Sequence, residues 1–174
     1  SLWRRREVAH GSLVLRRDFF FHYYFDAADQ GMLSDYNYHV IRKINSAIKY
    51  REAFRPFAPA ILENMTTEYF EVEEDEKVPF MEKVFMIKEN KRNIIPSVTH
   101  VDGSGRLQTV SQEDNPIFYS LISRFFEKTD VPVLLNTSFN LNGEPIVCSP
   151  TDAIRTFYNC GLDILIIGNY VVTK

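Results

Sequence analysis

A chain of 174 residues, 45% hydrophobic and 14% aromatic, is about one domain and has enough apolar material to bury a core. Its formal charge of −3 at pH 7 gives nucleic acid and anionic membrane no bulk attraction, so neither is an expected partner. No apolar run reaches the ~18 residues of a membrane span. Cys148 and Cys160 lack CxxC spacing and fit reduced thiols in a cytoplasmic protein, while His10, His22, His39 and His100 form neither HxxxH nor HExxH, so no metal site is predicted.

Residues 1–33 follow no regular period and are set apart as an N-terminal segment, the main domain running over 34–174. Arg4, Arg5 and Arg6 form a basic cluster, and the aromatic run Phe19 to Phe25 reads as a buried strand or a surface that packs on another domain. Ser1 in place of methionine points to a piece of a longer protein. Ser34 or Asp35 caps a helix that places Val40, Ile41, Ile44 and Ile48 on one face and runs to about Lys49. Pro56 and Pro59 then favour extended backbone, and Ala60-Ile61-Leu62 reads as a short strand. Glu71 to Lys77 is a solvated acidic loop.

Strands are expected over Pro79–Ile87 and Pro96–Val101, with a turn at Asp102 to Gly105 and a returning strand over Arg106–Val110. Asn115 and Pro116 start a helix that buries Ile117, Phe118, Leu121, Ile122, Phe125 and Phe126. Val131–Leu135 is an apolar strand. Ser149 and Asp152 form a capping box around Pro150, and Gly161 ends the helix that follows. Ile164–Ile167 and Tyr170–Thr173 make a hairpin around Gly168-Asn169. The interleaving defines an α/β fold, α+β being the alternative, with a twisted mixed sheet flanked by helices.

Three polar islands lie at the ends of apolar elements. In the first, Lys49, Arg51 and Arg55 supply three cations, and an extended backbone after Lys49 would turn Lys49 and Arg51 to one side. Arg offers a fork of donors and Lys a compact charge, the pair that suits polyphosphate. The second holds His100, the Asp102-Gly103-Ser104-Gly105 turn and Arg106, where glycine lets backbone approach a ligand. The third, Asn136 to Gly143, crowds hydroxyls and amides at the exit of a buried strand, with Asn136, Ser138 and Asn140 as candidate ligand contacts. Each island alone also fits an ordinary surface pair or a turn. Together they describe an anion or nucleotide site without a Walker loop or GxGxxG.

The stretches IKYREAFRPFAPAIL, PSVTHVDGSGRLQTV, PVLLNTSFNLNGEPIVCSPTDAIRTF and GLDILIIGNYVVTK cover roughly residues 44–174 in order. They resemble the C-terminal domain of the O-carbamoyltransferases, the family of the nodulation, cephamycin and tobramycin carbamoyltransferases. The resemblance implies a fold like the threonylcarbamoyl-adenylate synthases, which makes carbamoyl adenylate from carbamoyl phosphate and ATP with Mg²⁺. The synthases' KxR…SxN tetrad corresponds to Lys49, Arg51, Ser138 and Asn140, implied as catalytic. Arg55, His100, Arg106 and Asn136 are implied, with the tetrad, to bind nucleotide and carbamoyl phosphate.

The resemblance also implies an upstream actin-like domain of the same enzyme, absent from this sequence, holding a divalent metal ion and the pocket for a hydroxyl acceptor. The family block GPRALGNRSIL is degenerate here: residues 6–14 keep an Arg and a Ser at corresponding places, but not the block's glycine or second arginine at theirs. The acceptor and the oligomeric state, a homodimer included, are left open. Two rival readings are an RNA-related nucleotide-binding module, disfavoured by the acidic balance, and an inactive interaction domain, disfavoured by the complete tetrad.

Overall fold

A computed structural model of the protein describes residues 12–15, 41, 42, 44–52 and 55–174. In chain order the elements are β1 (Ser12–Leu15), a π-helical turn over Asn45–Lys49, β2 (Ala58–Leu62), α1 (Thr66–Tyr69), β3 (Lys83–Met86), α2 (Glu89–Arg92) and β4 (Ser104–Val110). They continue with α3 (Pro116–Thr129), β5 (Val133–Asn136), α4 (Pro150–Tyr158), β6 (Ile164–Ile167) and β7 (Tyr170–Thr173). These elements fall into two compact units, one spanning 56–137 and the other joining β1 and the 41–55 segment to residues 138–174.

The first unit is a four-stranded mixed sheet, order β3-β4-β2-β5. β2 runs parallel to β4 (Ala60↔Gln108 to Leu62↔Val110) and antiparallel to β5 (Ala58↔Asn136 to Ile61↔Val133). As a central strand it is buried along its whole length, which is why APAIL is continuous and does not alternate. The ladder to β4 begins at Ala60, immediately after Pro59, which has no N–H to offer. α3 packs on β2 and β5, confirming the helix-flanked mixed sheet. Asn115 Oδ1 accepts the Phe118 N–H at 3.2 Å, and Pro116 opens the helix as expected. Its buried face centres on Ile122 and Phe125, and Phe118, Leu121 and Phe126 are half-buried. Ile117, placed in the core by sequence, is 76% exposed; at 100° per residue it lies on the flank of that face.

Two of the expected strands differ most from what is observed. Pro79–Ile87 is a strand only over Lys83–Met86. Pro96–Val101 is not a strand: Pro96–Val98 is a 3₁₀ turn, with Thr99 N–H on Pro96 O at 3.2 Å and Thr99 Oγ1 donating back to Ile95 O at 2.9 Å. Proline presets the φ of a helical first turn, and the threonine hydroxyl closes it. The strand that pairs with β4 is therefore β3, antiparallel from Lys83↔Leu107 to Met86↔Ser104. Between Val98 and β4 the chain reverses through His100–Ser104, closed by His100 N–H on Ser104 O at 2.7 Å and Gly103 N–H on His100 O at 2.9 Å. Gly103 takes φ 83° there, which favours glycine.

In the second unit β6 and β7 form the expected hairpin, with Gly168 at φ 55°. β1 adds antiparallel to β6, from Ser12↔Ile167 to Leu15↔Ile164. The expected aromatic strand over 19–25 lies outside the described residues. Ser149 Oγ accepts the Asp152 N–H at 3.1 Å and donates to its carboxylate at 2.6 Å, so Ser149 caps the helix as expected. α4 then buries Ala153, Thr156 and Phe157 and packs on β6. Ahead of the π turn, residues 41, 42 and 44 are helical, with Ile44 and Ile48 buried; Val40 and the caps Ser34 and Asp35 lie outside the described residues.

Gly161 does not cap α4, which ends at Tyr158. It is a close-approach glycine: its N–H bonds Ala47 O at 2.9 Å, and an added Cβ would lie 2.9 Å from that same oxygen. Because the obstruction is backbone, Gly161→Ala is expected to cost about 1–3 kcal/mol. Thermal melting checks this, with a drop of several degrees expected for a chain of this size.

Candidate functional site

The segment Lys49-Tyr50-Arg51 is not extended, contrary to expectation. It closes the π turn, with Tyr50 in left-handed backbone at φ 48°. Asn45, fully buried, organises the turn. Its carbonyl accepts the N–H of Tyr50 and, at 3.0 Å, that of Arg51. Its Oδ1 accepts Arg51 Nε–H at 2.7 Å, and its Nδ2 donates to Arg55 O at 2.9 Å. Asn45 thus holds two of the three cationic positions of the first island, Arg51 and Arg55. Sequence reasoning missed Asn45; the available signal was a polar residue next to Ile44 on the apolar face of a helix.

Lys49 is only 4% exposed. Its ammonium donates to Ser138 O, to Asn140 O at 3.1 Å and to Asn140 Oδ1 at 3.0 Å, with Ser138 Oγ at 3.4 Å. Ser138 Oγ donates to Asn140 Oδ1 at 2.7 Å, and Asn140 Nδ2 donates to Glu144 O at 2.8 Å. The loop is closed by Val147 N–H on Phe139 O at 3.0 Å and turns through Gly143 at φ 79°. The oxygens around Nζ are carbonyl, amide and hydroxyl, so they orient the ammonium without neutralising its charge. Burial first, then the Arg51 guanidinium, push the Lys49 pKa down to about 8, with Cys160 opposing. Lys49, Ser138 and Asn140 therefore meet at one atom, and Arg51 is close enough to act on it. Arg55 is more exposed, 3.6 Å from Glu52 in an ion pair.

The other sequence candidates lie in the sheet unit. His100 Nδ1 is 3.1 Å from Ser104 Oγ, and that hydroxyl is 2.6 Å from Asp102 Oδ1. Burial lowers the His100 pKa; Asp102 opposes this and Arg106 adds to it. Arg106 is exposed on β4, opposite Val84. Asn136, at the end of β5, donates from Nδ2 to Gln108 Oε1 at 2.5 Å. Arg92, not singled out by sequence, donates from Nε to Ile87 O at 2.9 Å and lays its guanidinium against Gly103, where a Cβ would sit 2.6 Å from Cζ. Gly103 thus serves both the positive φ and the close approach of an arginine. Among the described residues no three His, Cys, Asp or Glu side chains gather as metal ligands, and no helix is long and apolar enough to cross a membrane.

The Lys49 ammonium is thus buried and oriented, with the Arg51 guanidinium acting on it and the amides and hydroxyl of the 138–140 loop around it. The carbamoyltransferase C-terminus family matches residues 32–174, and the chain belongs to that family. It is 48% identical over 133 residues to nodulation protein NolNO of Sinorhizobium fredii, covering 76% of this chain and 20% of that protein. Nodulation protein NolO of Bradyrhizobium diazoefficiens is 47% identical over 133 residues, 76% of this chain and 24% of the relative. The 3'-hydroxymethylcephem-O-carbamoyltransferase of Amycolatopsis lactamdurans is 35% identical over 131 residues, 75% of this chain and 24% of the relative. The chain thus spans about a quarter or less of these relatives.

Proposed function

We propose that this chain is the part of an ATP-dependent O-carbamoyltransferase that makes carbamoyl adenylate. The observation that carries the reading is the Lys49 ammonium, buried against Ser138 and Asn140 and bonded, among the described residues, only to uncharged oxygens. Such a charge in a low-dielectric setting attracts a polyphosphate far more strongly than an exposed lysine does. Lys49, Arg51 and Arg55 neutralise ATP's phosphates, and Ser138 and Asn140 hold the reacting phosphoryl or carbamoyl groups by hydrogen bonds. The family resemblance alone assigns Arg106 and Asn136 to nucleotide and His100 to carbamoyl phosphate.

In the reaction, water cleaves carbamoyl phosphate to carbamate and inorganic phosphate. A carbamate oxygen then attacks the α-phosphorus of ATP, pyrophosphate departs, and carbamoyl adenylate remains. The chain's own contribution is orientation and charge neutralisation, since no nucleophile–base pair is used. Mg²⁺ enters with the nucleotide's phosphates. An upstream actin-like domain with its own divalent metal ion passes the carbamoyl group to a hydroxyl acceptor. The assembly works in the cytoplasm, without nucleic acid or membrane as partner.

Calorimetric titration with ATP and Mg²⁺ tests the binding half. Arg51→Ala should weaken ATP by about 1.5–3 kcal/mol, the scale of a lost hydrogen bond to a charged group, or roughly 10- to 150-fold in Kd. Equal affinity for wild type and variant would remove Arg51 from the site.

A further inference from the structure

The reversal at His100–Ser104 fixes a proton position by simple counting. Ser104 Oγ carries one hydrogen and has two neighbours, Asp102 Oδ1 at 2.6 Å and His100 Nδ1 at 3.1 Å. The carboxylate is ionised, its pKa held low first by the Ser104 hydroxyl and then by the Ser104 N–H, which reaches the same oxygen at 2.9 Å. An ionised carboxylate can only accept, and a 2.6 Å oxygen–oxygen approach without a hydrogen between them would be repulsive. The hydroxyl hydrogen therefore goes to Asp102. Towards His100 the serine then offers only a lone pair, so Nδ1 must carry the imidazole N–H. Ser104 is 3% exposed, and the His100 N–H bond to its carbonyl at 2.7 Å ties ring and hydroxyl into one frame.

We propose that Asp102 and Ser104 are positioning residues that hold His100 as the Nδ1–H tautomer, so that Nε2 accepts a hydrogen bond from the amide of a carbamoyl group. This rests on the reading that the loop takes carbamoyl phosphate, and deepens it by assigning the ends of that ligand. A neutral imidazole has one N–H, and here it is used inside the loop. The bare Nε2 lone pair repels phosphate oxygens and suits an N–H donor. Burial keeps the ring neutral. The phosphate end is left to Arg106, whose charge is felt at His100. Asp102 and Ser104 touch no ligand in this scheme; they act through His100.

The test is imidazole nitrogen NMR on the ¹⁵N-labelled 174-residue chain, above the pKa of the ring and without ligand. His100 is assigned by the peaks lost in His100→Gln. The expected spectrum has Nδ1 in the protonated range and Nε2 in the bare range. Ser104→Ala should exchange the two ranges, and Ser104→Thr should keep the wild-type pattern. A wild-type His100 with its proton on Nε2 overturns the proposal by itself, so the outcome does not depend on Ser104→Ala folding. An unchanged tautomer in a folded Ser104→Ala overturns it as well. Carbamoyl phosphate is then added, with inorganic phosphate as control. Movement of the Nε2 resonance with carbamoyl phosphate only supports the amide assignment. An Nε2 resonance indifferent to both, with the Nδ1–H tautomer intact, overturns the loop as a carbamoyl phosphate site and leaves the tautomer standing.

Discussion

Lys49→Met is expected to lower carbamoyl adenylate formation by about 100- to 1,000-fold, the range for removing one preorganised charge-stabilising donor. Pyrophosphate release on adding carbamoyl phosphate and ATP measures it. The variant also leaves Ser138 O and Asn140 O without the ammonium, while Asn140 Oδ1 keeps the Ser138 hydroxyl; a buried group left unsatisfied costs about 1–3 kcal/mol. Removing the desolvated charge offsets part of that cost. Activity is therefore compared per folded molecule. Turnover within threefold of wild type would make Lys49 a staple of the 138–140 loop with no part in the chemistry.

The lowered pKa of Lys49 gives the same residue a second signature. Folded Lys49 titrates near 8, against an ordinary value of 10.5. Between those values the unfolded chain binds the extra proton, so this group's contribution to stability rises as pH climbs from about 8 to 10.5. Below pH 8 both states are charged and the cost of burying the ammonium is fully present. For anion binding the sign reverses: the charge is lost above pH 8, and ATP affinity should fall there. Lys49→Arg, which keeps its charge, should remove that fall.

What could be read from the sequence was what short-range chemistry dictates. Asn115-Pro116 starts α3 because a side-chain oxygen and a missing N–H answer the needs of the first turn within four residues. Ser149 to Asp152 opens α4, and Gly168-Asn169 turns β6 into β7, for equally local reasons. Strand partnership was not legible in the same way. Residues 96–101 carry strand-forming side chains, yet β4 pairs with β3, across sequence where alternation alone does not choose between candidates. β1 is four residues long, and its partner β6 lies at the other end of the chain.

The site divides along the same line. Residue types were legible: Lys49, Ser138 and Asn140 were singled out as polar groups at element ends, and they meet within hydrogen-bonding distance. The backbone that brings them there was not. Extended backbone would have placed Lys49 and Arg51 side by side through alternation, whereas the protein uses a π turn anchored on the buried amide of Asn45. A π turn has no composition of its own, because it is one residue inserted into an ordinary helical period. Arg92 was missed for a different reason. Its place beside Gly103 depends on the fold of 87–103, far from any motif that would mark it.

Ser138→Ala is expected, in the full-length enzyme, to lower carbamoyl phosphate-dependent formation of carbamoyl adenylate about 10-fold or more while leaving the fold nearly intact. The stability side follows from the contacts. Ser138 Oγ donates one bond, to Asn140 Oδ1 at 2.7 Å, and is 3.4 Å from Lys49 Nζ. The ammonium also bonds the backbone carbonyl of residue 138, which alanine retains. Loss of the single hydroxyl bond costs about 0.5–1.5 kcal/mol, a shift of a few degrees in Tm for a chain of this length. The activity side follows from what the hydroxyl does for Asn140. It caps Oδ1, so that Oδ1 receives both the hydroxyl and the ammonium and holds Nζ at one place. Without it Asn140 gains freedom to rotate, and the charge is no longer fixed against the phosphate. A loss of one such bond in the transition state is about 1.4 kcal/mol or more, hence the tenfold scale. Pyrophosphate release is the measure, with variants of the upstream domain blocking the second step. A large fall in Tm with normal turnover per folded molecule would make Ser138 a turn residue, and would leave Lys49 and Asn140 as the only members of this cluster with a claim on the chemistry.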